Sequence, residues 1–145
     1  MDLSQVPTYR AGIAQSKAHR ALSVMVTRLL KKHDISMLQW FILGLVHDAG
    51  KRGIRITDIA IELDTTKAFV TKNINLLEAK QLVSRSIGTK DTRSRIVILT
   101  PQARPLAVKI EHELRSDMRA NIYQDVQPDE LATYVKVLTH LSKLS

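Results

Sequence analysis

Residues 56–77 read ITDIAIELDTTKAFVTKNINLL, and the fold turns on how this stretch divides. Thr57 is placed to cap a short helix, with Asp58 in its first turn, where a carboxylate favours the positive end of the helix dipole. Ile59, Ala60 and Leu63 then share one face. Asp64-Thr65-Thr66 interrupts that pattern, and Thr66 can cap a second helix. In it Val70, Ile74 and Leu77 recur at i, i+4 and i+7 and face inward, while Lys67, Ala68, Thr71, Lys72 and Asn75 face out. Two short helices joined by a tight turn, the second carrying small, polar and cationic side chains outward, predict a helix-turn-helix.

Downstream, Leu82 to Ile87 alternates apolar and polar residues, and so does Arg95 to Leu99. Gly88 to Ser94 (GTKDTRS) joins them, so the pair predicts a hairpin with a basic tip, the wing of a winged helix-turn-helix. Asp91 sits alone among cations there: either it simply starts a turn, or it ties down the tip by accepting from loop backbone or pairing with Arg93 or Arg95. Upstream, Ile13, Ala14, Ala18, Ala21, Leu22, Met25 and Leu29 predict one long amphipathic helix from Tyr9 to about Lys32. Ser36 is a plausible cap for a second helix through Val46, closed by turn residues His47 to Gly53. Beyond the wing, Pro101 suits the first turn of a helix with Leu106, Ile110, Leu114, Met118 and Ile122 every four residues. Pro128-Asp129-Glu130 opens a last helix bearing Leu131, Tyr134, Val135, Leu138 and Leu141. The expected fold is mainly α with a small β-hairpin wing.

Composition narrows the function. The chain has 145 residues, one domain by length, with 22 Lys+Arg against 14 Asp+Glu and a formal net charge of +8. Between Lys51 and Arg95 ten Lys and Arg meet five Asp and Glu, whereas residues 96–145 balance at six of each. The overall balance favours a polyanion partner, while on charge alone the basic middle reads equally well as a solvated face. With no cysteine, a disulfide framework, a thiolate zinc site and a thiol switch are all closed. The longest apolar run, Trp40 to Val46, is far too short to span a membrane, and the expectation is a cytoplasmic protein. Gly-rich phosphate loops, a nucleophile elbow and H-E-x-x-H are missing. Glu111-His112-Glu113 is the nearest approach to a metal cluster, yet consecutive residues on a helix diverge. No enzymatic activity, cofactor or metal is expected.

The run from Ile56 to Thr100, with Val70-Thr71-Lys72, Leu77-Glu78-Ala79-Lys80-Gln81-Leu82-Val83-Ser84-Arg85 and the D-x-R element Asp91-Thr92-Arg93 leading through a strand to Leu99-Thr100, resembles the MarR family of bacterial transcription regulators. The resemblance covers nearly the whole chain. It implies a homodimer on double-stranded DNA: a winged helix-turn-helix over residues 36–100, flanked by dimerisation helices in 1–35 and 101–145 of a single 1–145 domain. It further implies a repressor on a pseudo-palindromic operator, released by a small aromatic effector, often a phenolic or other aromatic acid. Carried over by position, DNA contacts fall on Thr66, Ala68, Phe69, Thr71, Lys72 and Asn75 in the recognition helix and on Lys90, Asp91, Arg93 and Arg95 in the wing. Phe69 stands where a small polar residue is usual; it either touches a thymine methyl or tucks against the preceding helix, the commoner fate of an aromatic. Gln81 replaces a usual glycine, so a left-handed backbone there costs about 1 kcal/mol. Thr92 replaces a common arginine. The effector site stays unassigned, with Tyr9, His19 and Trp40 available either to line it or to pack.

Two other readings share these features. A winged-helix module can bind RNA or protein, but that calls for stacking aromatics or an apolar patch where this face offers threonine, lysine and asparagine. An accessory or dimerisation domain of an enzyme system is the other.

Overall fold

The computed structural model describes residues 3–87 and 95–144. The chain divides into two compact units, residues 1–111 and 112–145.

The first unit opens with helix α1 (Thr8–Leu30), followed by a short turn of 3-10 helix that ends at Asp34, held left-handed at φ 55°. Helix α2 (Met37–Ala49) begins as expected at Ser36, which forms a full capping box. The Gln39 N–H donates to Ser36 Oγ (3.1 Å) and the Ser36 N–H donates to Gln39 Oε1 (3.2 Å). The helix runs past Val46 to Ala49, so His47, Asp48 and Ala49 belong to it rather than to the turn. Its apolar face, Ile42, Leu43 and Val46, is buried.

Gly53 then leads into a strand that alternation did not signal, because it is only two residues long: β1 (Ile54–Arg55). Helix α3 (Ile56–Glu62) follows without a break. Thr57 therefore lies inside its first turn and is not the cap; Arg55 holds that position, with no side-chain cap bond, and instead its Nε donates to Asp58 Oδ2 at 3.1 Å. Helix α4 (Lys67–Ala79) is capped by Thr66, whose Oγ1 accepts from the Phe69 N–H at 3.1 Å. Val70, Ile74 and Leu77 are fully buried, as their spacing required.

Strands β2 (Val83–Ile87) and β3 (Arg95–Leu99) pair antiparallel, with Val83 opposite Leu99, Arg85 opposite Val97 and Ile87 opposite Arg95. β1 pairs with the other edge of β3, giving a three-stranded sheet in the order β1-β3-β2. The expected two-stranded hairpin thus has a third strand, and β3 is central. Val83, Val97 and Leu99 turn inward onto α2, α3 and α4. Helix α5 (Ala103–Asn121) starts two residues after Pro101, which stays in a turn, and ends one residue before Ile122. Ala103, Ala107, Ile110 and Leu114 are its buried side chains.

In the second unit, helix α6 (Pro128–Leu141) starts with a capping box between Gln127 and Glu130, the Gln127 N–H donating to Glu130 Oε1 at 3.0 Å. None of its residues is buried: Tyr134, Val135, Val137, Leu138 and Leu141 are 40–52% exposed.

Candidate nucleic-acid interface

The recognition helix is aimed by contacts on its inner side. Asn73, buried within α4, accepts from Gln39 Nε2 (3.3 Å) and donates from Nδ2 to the Phe69 carbonyl (2.9 Å). Since Gln39 also closes the α2 capping box, the start of α2 and the middle of α4 are joined by one buried polar chain. Such a chain holds one register between the helices where apolar contacts alone would tolerate sliding. At the far end of α4, Lys80 Nζ donates to the Asp34 carbonyl and lies 3.6 Å from its carboxylate.

The outer side of α4 carries the residues expected to meet DNA. Thr66, Ala68, Phe69, Lys72 and Asn75 are exposed, and Thr71 is half-buried beside them. Phe69 is not buried in the core: it is 47% exposed, next to Val70, which takes the inward direction. Lys90, Asp91 and Arg93 lie outside the described residues. Arg95 is exposed at the start of β3, at the base of the wing.

Sequence reasoning missed the partners of these residues. A depression of about 460 Å3 lies beside α4, lined by Arg55, Thr57, Lys67, Thr71, Arg85 and Arg95 together with Ile56. Four cations line it and no carboxylate does. Arg55 arrives through β1, which was too short to be read, and Arg85 through its place opposite Val97. Arg85 also donates from a terminal nitrogen to Asn75 Oδ1 and sits with Nε 3.5 Å from Glu78 Oε2.

A second hollow, of about 620 Å3, lies elsewhere in the first unit. Trp40, Phe41, Gly44 and Leu45 of α2 line it with Leu63, Ala107 and Val108, and its polar rim is His47, Asp48, Glu62 and Glu111. Of the residues considered for an effector, Trp40 is here; Tyr9 and His19 are not. Among the described residues no three His, Cys, Asp or Glu side chains gather as a metal site would require. No helix among them is long and apolar enough to cross a membrane.

The capped outward helix, the sheet behind it and the basic hollow at its flank coincide with what residues 35–94 match as a family model, that of the MarR family. The stretch similar to the MarR family is thus the part that carries the helix-turn-helix and the strands β1 and β2 of the sheet. A relative in Bacillus subtilis, the uncharacterized HTH-type transcriptional regulator YhbI, is 27% identical over 117 residues, 81% of this chain and 74% of the relative. Among solved structures, a MarR family regulator from Rhodococcus superposes with a TM-score of 0.85 at 13% identity, covering 97% of this chain and 98% of that one. MepR of Staphylococcus aureus, in a DNA complex, gives 0.75 at 24% identity over 97% and 100%. At these identities the superpositions establish the winged-helix fold. The family matched over residues 35–94 is one of transcription regulators, not of enzymes, and the relative in Bacillus subtilis carries the same description.

Proposed function

We propose that this protein is a repressor that binds a pseudo-palindromic operator as a homodimer, reading bases with Thr66, Ala68, Phe69, Thr71, Lys72 and Asn75 and holding the backbone with the wing. The observation that carries the reading is the face of α4: polar and cationic side chains stand outward on a helix capped at Thr66, and four cations without a carboxylate line the hollow beside it. The face supplies base-reading groups and the hollow supplies phosphate-binding charge. In this reading Lys90 and Arg93 add wing cations to Arg95, and Asp91 shapes the tip that presents them. Residues 36–100 form the DNA-binding part, and residues 1–35 and 101–145 the dimerisation helices of a single 1–145 domain. The apolar residues of α6 left exposed in one chain, and Ile13 and Val24 on α1, support that division. A two-fold protein then asks for a two-fold site. The same reading places the protein in the cytoplasm, with its DNA.

Release falls to a small aromatic effector in the hollow of Trp40 and Phe41. Its rim holds three carboxylates and neither Lys nor Arg. A neutral or cationic aromatic therefore fits better than an aromatic acid, which would bring like charge against the rim.

Footprinting the purified protein on the DNA upstream of its own gene tests the reading. Symmetric protection of two half-sites about one helical turn apart is the expected result. Protection independent of sequence would refute it. Within that assay Arg93→Ala should weaken binding by about 1–3 kcal/mol and make the salt dependence shallower, because fewer counterions are released. Unchanged binding at every salt concentration would remove the wing from the interface.

A further inference from the structure

Asn75 stands outward on the recognition helix, yet its side-chain oxygen is not free. It accepts a hydrogen bond from Arg85, which reaches it from β2 with only 17% of its side chain exposed. A guanidinium has donors and no acceptor, so the contact fixes which end of the amide faces Arg85: the oxygen must. Glu78, three residues further along the same helix, also pairs with Arg85 by charge, its carboxylate 3.5 Å from Nε. Arg85 is thus anchored to α4 at two points.

The geometry points to Arg85 as a positioning residue that decides which bases Asn75 accepts. An asparagine reads adenine with both ends of its amide, the oxygen taking the N6 hydrogen while the nitrogen donates to N7. With Oδ1 turned back to the sheet, the outward group is the NH2, a donor. It matches best the edges that offer acceptors alone, guanine N7 and O6 or thymine O4; at adenine it can still donate to N7 but leaves the amino group without a partner. The base beneath Asn75 in each half-site is therefore guanine or thymine. This inference rests on the DNA-binding reading above and adds to it the chemistry of one base position.

Selection from a randomised duplex library, run with the full chain, tests it. Asn75→Ala locates the affected positions, one in each half-site, where preference should drop. There the parent should favour guanine or thymine over adenine by roughly tenfold. Arg85→Met, which frees Oδ1, should move those positions toward adenine and leave the others alone; a purely structural role would not redirect a single base. Asn75→Asp keeps an acceptor for Arg85 and so should melt like the parent, but it loses the outward donors and should lose the preference for guanine or thymine. Adenine at those positions in the parent would overturn the inference. So would an Arg85→Met protein whose base preferences are unchanged, whatever its overall affinity, because Arg85 would then contribute charge or packing without orienting Asn75. Should Arg85→Met fail to fold, Asn75→Asp decides: selection identical to the parent refutes the proposal. A parent that enriches no sequence would bring down the DNA-binding reading itself, an outcome distinct from all of these.

Discussion

Gln81 closes the recognition helix in the left-handed region, at φ 62°, where a side chain costs about 1–2 kcal/mol relative to glycine. Its carbonyl repays part of that by accepting from Thr100 Oγ1 (2.7 Å) and Gln102 Nε2 (2.8 Å), which fastens the end of the helix to the start of the next segment. Both bonds use backbone oxygen, so they survive substitution. Gln81→Gly should accordingly raise stability by about 1 kcal/mol, read as a thermal midpoint a few degrees higher, partly offset by the greater freedom of glycine in the unfolded chain. A drop in the midpoint would show that the Gln81 side chain contributes more than its backbone costs. Thr66→Ala removes the oxygen that accepts from Phe69 and should cost about 1 kcal/mol in urea unfolding. Both sites were legible in the sequence, because a cap and a left-handed turn are set by residues within a few positions of one another. Asn73 was not. Its polar side chain looks like any exposed asparagine until Gln39, distant in the chain, arrives to bind it.

At the scale of elements, β1 and β3 meet so closely at Gly53 that no other residue fits. A Cβ there would lie 2.1 Å from Ile96 Cγ2 and 2.9 Å from the Val97 carbonyl oxygen, and the residue's φ is +74°. Gly53→Ala should therefore destabilise by about 2 kcal/mol or more, combining steric overlap with left-handed strain, and should detach β1 first. Hydrogen exchange would show this as faster exchange at Ile54 and Arg55; unchanged protection would mean that the sheet can shift to admit the methyl. The α2–α4 contact has its own test. Asn73→Ala leaves Gln39 Nε2 buried without its acceptor and should cost about 1–3 kcal/mol. Because it also loosens the aim of α4, it should reduce affinity for specific DNA more than for scrambled DNA. Equal losses on both would separate this polar chain from recognition. The helices α2 and α4 and the long strands were readable from periodicity; β1 was not, since two residues carry no period, and it exists because β3 offers a free edge.

For the whole molecule, α6 is the helix with no buried residue in the single chain. Its exposed Tyr134, Val135, Leu138 and Leu141 form an apolar stripe of the kind that soluble monomers seldom leave to solvent. If two copies bury it, the protein sediments as a dimer without DNA, and Leu138→Glu yields monomer at micromolar concentration with weaker operator binding. Lys136→Glu on the same helix changes the charge without removing an apolar contact and should leave the dimer intact. A parent that is monomeric would refute the dimer and with it the symmetric operator. Affinity should also fall steeply with salt, since the formal charge of +8 acts through displaced counterions.

The sequence by itself determined the ladder of helices, the cap at Thr66, the two longer strands and the basic middle, because each follows from periods and neighbours a few residues apart. It determined equally the resemblance to the MarR family, carried by a contiguous run. What only the tertiary structure decided are the contacts between residues remote in the chain: β1 against β3, Gln39 against Asn73, Phe69 turned outward, and Arg55, Lys67, Arg85 and Arg95 around one hollow. The reason is physical. Local order depends on dihedral preferences and hydrogen bonds within one or two turns, whereas a register between elements is chosen by which buried polar groups and side-chain volumes are satisfied together. A sequence holds those groups in order but does not say which of them meet.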